Sequence, residues 1–148
     1  MKKQIICNSV DDLLASASKM GSMLRGGEVI ELVSDVGGGK TTFVKGLATG
    51  AGSKDHVSSP TYKISNVYKA PDFDIYHFDF YRLPEAGLIE HELADIKDQD
   101  DAVIVVEWSN VVAHALPKDR ITITITVDSN ESRILTIEYP KALGYVIG

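Results

Sequence analysis

The run Gly37-Gly38-Gly39-Lys40-Thr41 ends in a lysine and a hydroxyl residue, the combination that grips phosphate in loops of the pattern G-x-x-x-x-G-K-[ST]. Successive backbone N–H groups at Gly37, Gly38 and Gly39 can form a concave nest for β- and γ-phosphate oxygens. Lys40 adds a point charge, and Thr41 offers a hydroxyl to Mg2+. Thr42, one residue further into the first helical turn, is placed for the α-phosphate. The first glycine of the pattern is Ser34 here. That position serves the turn out of the preceding strand and lies further from the phosphates, so serine is compatible with function if its φ is negative. A bare G-K-[ST] arises by chance in about one chain in fifteen of this length. Its position between a buried strand and a helix raises it above a glycine-rich turn with an exposed lysine.

Phosphate chemistry of this kind also needs an acid for the metal or its water, usually at the end of a neighbouring apolar strand. Glu107, directly after Ala102–Val106, and Asp79, in the stretch HFDFYR, are the two candidates. Each has a plainer alternative: Glu107 as a solvated strand-end acid, and His77, Asp79 and Tyr81 as the wet face of a half-exposed strand. Ser58-Ser59-Pro60-Thr61-Tyr62 falls where NTPases carry a segment that senses the γ-phosphate. Trp108 fits partial core better than a stacking platform. His56, His77, His91 and His114 lack metal-ligand spacing, Cys7 has no second cysteine, and the hydroxyls near Ser58 lack a nucleophile-elbow pattern. Zinc and serine-hydrolase readings therefore drop out. Without an Asn-Lys-x-Asp stretch, adenine is favoured over guanine by exclusion. Arg82 and Arg120 are isolated, and no lid-like insertion suggests a small-molecule kinase.

These residues need elements to hold them. A first strand is expected at Gln4–Cys7. Ser9-Val10-Asp11-Asp12 then reads as a helix start, with Leu13, Leu14, Ala17, Met20 and Leu24 on one face and an end near Gly26. Glu28–Val33 reads as a buried strand and Thr41–Leu47 as a helix, so the glycine loop joins strand to helix. Tyr62–Tyr68 and Phe73–Phe80 predict two strands around the Pro71-Asp72 turn. A helix using Leu88, Ile89, Leu93 and Ile96 follows Pro84. Ala102–Val106 suits a central strand covered on both faces. Ile121–Val127 alternates strictly and Arg133–Tyr139 answers it across Asp128–Ser132, an antiparallel hairpin that closes the chain. The expected fold class is α/β, a P-loop NTPase-like mixed central sheet flanked by helices, as one domain over residues 1–148.

Composition narrows the partners. With 148 residues, 44 % hydrophobic and 24 % charged, the chain has ordinary globular make-up. A net charge of −6 and a pI near 5.1 argue against gripping nucleic acid unaided. No apolar stretch approaches a membrane span or a secretory signal, so a cytoplasmic location and no membrane partner are expected.

The ordered set GGGKTTFVKGL, SSPTY, HFDFYRL and a late Glu107-Trp108 resembles the TsaE (YjeE) family, the P-loop ATPases of bacterial tRNA threonylcarbamoyladenosine biosynthesis. The resemblance implies that Gly37–Thr42 bind ATP phosphates and that Thr41 and Glu107 serve Mg2+. It makes Asp79 a metal or water-positioning acid needed for hydrolysis, and Ser59-Pro60-Thr61 a switch-like loop. It also suggests base-side contacts at Ser9 and Arg133. The family acts with a threonylcarbamoyl transferase complex of TsaD and TsaB type subunits that modifies adenosine 37 of tRNAs reading codons beginning with A, so tRNA is met only indirectly. Departures from the family pattern are Ser34 for the first loop glycine, Val36 for leucine, Gly38 for alanine, Leu13 where a threonine is usual, and Phe80 for leucine. A nucleotide sensor that binds without cleaving, and a small-molecule kinase, are the competing readings.

Overall fold

The computed structural model describes residues 1–34, 37, 39–58, 65–80, 93–96, 99–108, 116–128 and 132–148. Among them, seven strands form one mixed sheet: β1 (Lys2–Cys7), β2 (Val29–Val33), β3 (Ser65–Lys69), β4 (Asp74–Asp79), β5 (Ala102–Glu107), β6 (Ile121–Val127) and β7 (Arg133–Glu138). Their order is β1-β7-β6-β2-β5-β4-β3. Strands β4, β5, β2 and β6 run parallel to one another, whereas β3, β7 and β1 join by antiparallel pairing. Every residue of β5 is buried, as expected for a strand with parallel neighbours on both sides. The closing hairpin is present, Val127 facing Arg133 and Thr122 facing Glu138. The Pro71-Asp72 turn is closed by the Ala70 N–H donating to the Phe73 carbonyl at 3.1 Å.

Helix α1 (Val10–Met23) begins where the sequence indicates. The Asp12 N–H donates to Ser9 Oγ at 3.1 Å, and the Asn8 N–H donates to Asp12 Oδ2 at 3.0 Å. It stops before Gly26 and Gly27, whose φ angles of 103° and 88° no helix can continue. Helix α2 (Lys40–Gly50) follows the glycine loop, and a short helix α3 (Gly144–Ile147) ends the chain. Alternation along the strands sorts side chains to two faces. Ile30, Leu32, Ile75, Val103, Val105, Ile121, Ile123, Leu135 and Ile137 meet α1, α2 and α3 through Leu13, Ala17, Phe43, Leu47 and Val146. Val29, Phe78, Phe80, Ile104 and Val106 form a second cluster with Leu93, Ile96 and Leu116 on the other face. Residues 93–96 are helical, consistent with the helix expected after Pro84, while its earlier residues lie outside those described. Of the strand expected at Tyr62–Tyr68, residues 62–64 lie outside too.

Two helices meet at unusually close range. A Cβ on Gly21 of α1 would lie 2.0 Å from the Leu47 carbonyl oxygen, and one on Gly50 of α2 would lie 1.9 Å from the Ser18 oxygen. Gly46 is also too close for a side chain, 2.7 Å from Leu14 O and 2.8 Å from Ala17 Cβ. α1 and α2 therefore touch backbone to backbone.

Glu28 was expected inside a strand, but the strand begins at Val29 and Glu28 instead satisfies the turn before it. Its carboxylate accepts from the N–H of Arg25 at 2.8 Å and of Gly26 at 2.7 Å, and from the Tyr145 hydroxyl at 2.6 Å. Burial, then the neighbouring Glu28 carboxylate, push the Tyr145 phenol up to about 12, so that hydroxyl remains a donor at neutral pH. Glu31, buried within β2, accepts from Thr122 Oγ1 at 3.0 Å and pairs with Arg120 at 3.3 Å, so neither acid in the EVIELV run is unsatisfied. Among the described residues no helix is long and apolar enough to cross a membrane.

Candidate functional site

The sheet order brings the expected site residues to one edge. β2 leaves the sheet at Val33, β4 at Asp79 and β5 at Glu107, all parallel, and Asp79 stands directly beside Glu107 in register. Ligands of open α/β sheets bind at this carboxyl edge.

From β2 the chain enters the glycine loop. Gly37 and Gly39 have φ of 79° and 110°, conformations that side chains disfavour. Among described non-glycine residues only Trp108 has positive φ, so Ser34 does not, which is the condition under which serine can stand there. Asp35, Val36 and Gly38 lie outside the described residues. Gly39 caps α2 without a side-chain hydrogen bond, and no acid lies in the first turn. The helix therefore presents its positive end and its first amides toward the loop with no side-chain cap over them. Restoring glycine at Ser34 should change ATP affinity by less than about threefold in a binding titration. A gain above about tenfold, 1.4 kcal/mol, would show that serine constrains the loop.

Lys40 is 8 % exposed. Its ammonium donates to the Ser34 carbonyl at 3.0 Å and lies 4.4 Å from the centre of the Trp108 ring. One side chain thus spans the exits of β2 and β5. Trp108, at φ 56°, holds a backbone conformation rare for a bulky residue. Its ring packs against the second core cluster, as partial core should, and also meets the loop lysine. Thr41 and Thr42 begin α2 half-buried.

The acids are not set alike. Asp79 is half-buried, whereas Glu107 is only 2 % exposed, which overturns the solvated strand-end alternative. Glu107 Oε2 is hydrogen-bonded to Nε2 of His77, its diagonal neighbour on β4. His77 in turn contacts the Tyr68 hydroxyl through Nδ1 at 2.9 Å, and that hydroxyl lies 2.9 Å from the Ser58 carbonyl oxygen. Burial pushes the Tyr68 phenol above its ordinary value, against the lowering effect of its hydrogen bonds with Asn66 and Ser58, so the hydroxyl keeps its hydrogen at neutral pH. His77 has no exposed surface, so the wet-face alternative fails for it too, while Tyr81 lies outside the described residues. Neither His77 nor Tyr68 carries a local sequence signal for these contacts. The H-x-D spacing put His77 on the face of Asp79, but burial there depends on β5.

A second group gathers on the far side of the loop. Cys7 at the end of β1 faces Arg133 at the start of β7, so Ser9 and Arg133 reach the same edge. A Cβ on Gly39 would lie 3.2 Å from Leu13 Cδ2 and 4.0 Å from Arg133 Nε. Arg133 also donates to the Ser132 carbonyl at 3.1 Å, and Ser9 Oγ is engaged as the α1 cap. The switch-like Ser59-Pro60-Thr61 and Arg82 lie outside the described residues.

The donors suit the groups that the loop calls for. Among the described residues no three His, Cys, Asp or Glu side chains cluster as a metal cage. Mg2+ asks for less: one or two carboxylates, a hydroxyl and substrate phosphates. Asp79, Glu107 and Thr41 are hard oxygen donors of that kind, opposite a cationic loop that suits a polyphosphate.

Over residues 7–135 the chain matches the family model for "Threonylcarbamoyl adenosine biosynthesis protein TsaE". It is 35 % identical over 136 residues to the tRNA threonylcarbamoyladenosine biosynthesis protein TsaE of Treponema pallidum, spanning 89 % of this chain and 97 % of that one. To the protein of the same name from Borreliella burgdorferi it is 41 % identical over 98 residues, 64 % of this chain and 69 % of the relative. The crystal structure of Bacillus subtilis YdiB shares the fold, with a TM-score of 0.80 at 24 % identity over 99 % of this chain and 91 % of that one.

Proposed function

Because the chain belongs to the TsaE family of tRNA threonylcarbamoyladenosine biosynthesis proteins, we propose that it is the Mg2+-dependent ATPase of that modification system. In this reading residues 1–148 act as one P-loop ATPase unit that hydrolyses ATP to ADP and phosphate, slowly unless its partners are present. Those partners are the threonylcarbamoyl transferase subunits, of TsaD and TsaB type, that act on adenosine 37 of tRNAs reading codons beginning with A. The reading places the work in the cytoplasm and brings tRNA to this protein only through the transferase. The net charge of −6 supports a protein as the main contact rather than RNA.

The observation that carries the proposal is the convergence of Lys40 and the uncapped α2 terminus with two adjacent strand-end acids, Asp79 and Glu107, at one sheet edge. Gly37, Gly38 and Gly39 would cradle the phosphates with their amides, and Lys40 would neutralise charge on them. Thr42 would meet the α-phosphate. Thr41, Asp79 and Glu107 would hold Mg2+, which when bound offsets negative charge on the phosphate oxygens. Asp79, the more accessible acid, is suited to orient the attacking water. Ser9 and Arg133 would flank the base side of the nucleotide.

Phosphate release is the direct test. Wild-type protein should turn over ATP slowly alone and several-fold faster with the transferase pair, and Asp79→Asn should bind ATP yet lose at least about tenfold in turnover. Tight ATP binding with no phosphate release under any of these conditions would instead favour a nucleotide sensor.

A further inference from the structure

We propose that His77 and Tyr68 are positioning residues for Glu107 and that they couple its carboxylate to the backbone at Ser58. The inference rests on the reading of Glu107 as a metal-holding acid. The chain of contacts is continuous: Glu107 to His77 Nε2, His77 Nδ1 to the Tyr68 hydroxyl, and that hydroxyl to the Ser58 carbonyl. It begins at a buried acid and ends at an exposed loop residue. Ser58 O also accepts from Asn66 Nδ2 at 3.1 Å, at an open polar cleft of about 400 Å³ lined by Asp55, His56 and Ser65 as well.

Packing does not require polar groups here. The neighbours of His77 on its own strand and across the sheet, Ile75 and Val105, are apolar and fully buried, and apolar residues commonly replace a buried polar pair without loss of stability. What the polar chain adds is orientation. A glutamate side chain at a strand end has three free torsions, and a bond to a histidine whose other nitrogen is also held removes most of that freedom. The ring of His77 is gripped at both nitrogens. The phenol of Tyr68 donates its one hydrogen to Ser58 O and meets His77 Nδ1 at the same 2.9 Å, where its oxygen can accept, so each bond polarises the other. Its bonds to the two are therefore linked, and a displacement at Ser58 alters the hold on His77 and so on Glu107.

Full-length Tyr68→Phe, His77→Leu and His77→Gln test this. Trp108, the sole tryptophan, follows Glu107 and touches Lys40, so its fluorescence should report nucleotide binding without need of turnover. For Tyr68→Phe, ADP affinity without Mg2+ should stay within twofold of wild type, while the affinity gained on adding Mg2+ shrinks at least fivefold. With ATP, kcat should fall at least tenfold and KM stay within twofold. Amide hydrogen exchange over residues 53–58 should quicken at least tenfold in Tyr68→Phe and also in Glu107→Ala, at the opposite end of the chain. His77→Gln keeps a donor for Glu107 and should recover at least threefold of the Mg2+ effect lost in His77→Leu. An unchanged Mg2+ effect in Tyr68→Phe, or equal behaviour of His77→Gln and His77→Leu, would overturn the inference. Absence of ATP hydrolysis by the wild type would instead strike the proposed function, leaving the fluorescence and exchange results to judge the positioning role.

Discussion

Lys40→Ala should lower ATP turnover at least about a hundredfold while leaving the fold intact. The ammonium ties the exit of β2 to the exit of β5, through the Ser34 carbonyl and the Trp108 ring. Its removal takes a charge from a water-poor site, where a single electrostatic contact to a transition state is worth about 3 kcal/mol. The structural loss is smaller, about 2 kcal/mol for a charge-assisted hydrogen bond. The two effects separate in measurement: a thermal melt within a few degrees of wild type beside a collapse in phosphate release. Lys40→Arg should fail as well, because a planar guanidinium does not replace a compact ammonium in a half-enclosed loop. Turnover of Lys40→Ala within threefold of wild type would remove the loop from the mechanism.

Among the described glycines inside α1 and α2, Gly50→Ala should be the most damaging substitution. The added carbon would sit 1.9 Å from the Ser18 carbonyl oxygen, a backbone atom that no rotamer change can move aside. Overpacking costs about 3 kcal/mol when the backbone must shift, which for a chain of this size lowers the melting temperature by roughly 10 °C. Gly21→Ala, facing Leu47 O at 2.0 Å, should behave alike. A control at Gly37, where a Cβ meets nothing within 4 Å but φ is 79°, separates crowding from backbone strain. Because α2 begins at Lys40, spreading α1 from α2 also displaces the loop lysine, and surviving Gly50→Ala protein should bind nucleotide more weakly. A melting temperature within 2 °C of wild type would show that the helices can part without cost.

The glycine loop between strand and helix, the two strand-end acids, the interior place of Ala102–Val106 and the closing hairpin were legible because each rests on local pattern. Ala102–Val106 is apolar throughout and so had to be central, and Ile121–Val127 alternates and so had to face two environments. Ser9 announces its helix by side-chain chemistry three residues long. What escaped notice depends on partners distant in the chain. His77 alternates with aromatic residues exactly as a solvent-facing residue would, and only Glu107, thirty positions away, together with Tyr68 makes its burial affordable. Gly21, Gly46 and Gly50 look like ordinary helix glycines until two helices are laid together. Glu31 is a charged residue in an apolar run whose burial is explained by Arg120 and Thr122, and Glu28 adds Tyr145 to its local partners Arg25 and Gly26; all three distant residues come from the last third of the chain. Arg133 is drawn to the phosphate loop by the pairing of the first strand with the last.

That pairing bears on synthesis at the ribosome. Strand β1 has its partner in β7, and β2 is completed on one side by β6, so the earliest strands wait for the latest residues. Contacts of such long sequence separation form slowly, and unpaired strand edges invite association in the interval. A nascent chain released short of β6 would expose the edge of β2 with its apolar Ile30 and Leu32. Premature termination in the last quarter of the message should therefore yield aggregated or chaperone-bound product rather than a partly folded, soluble one.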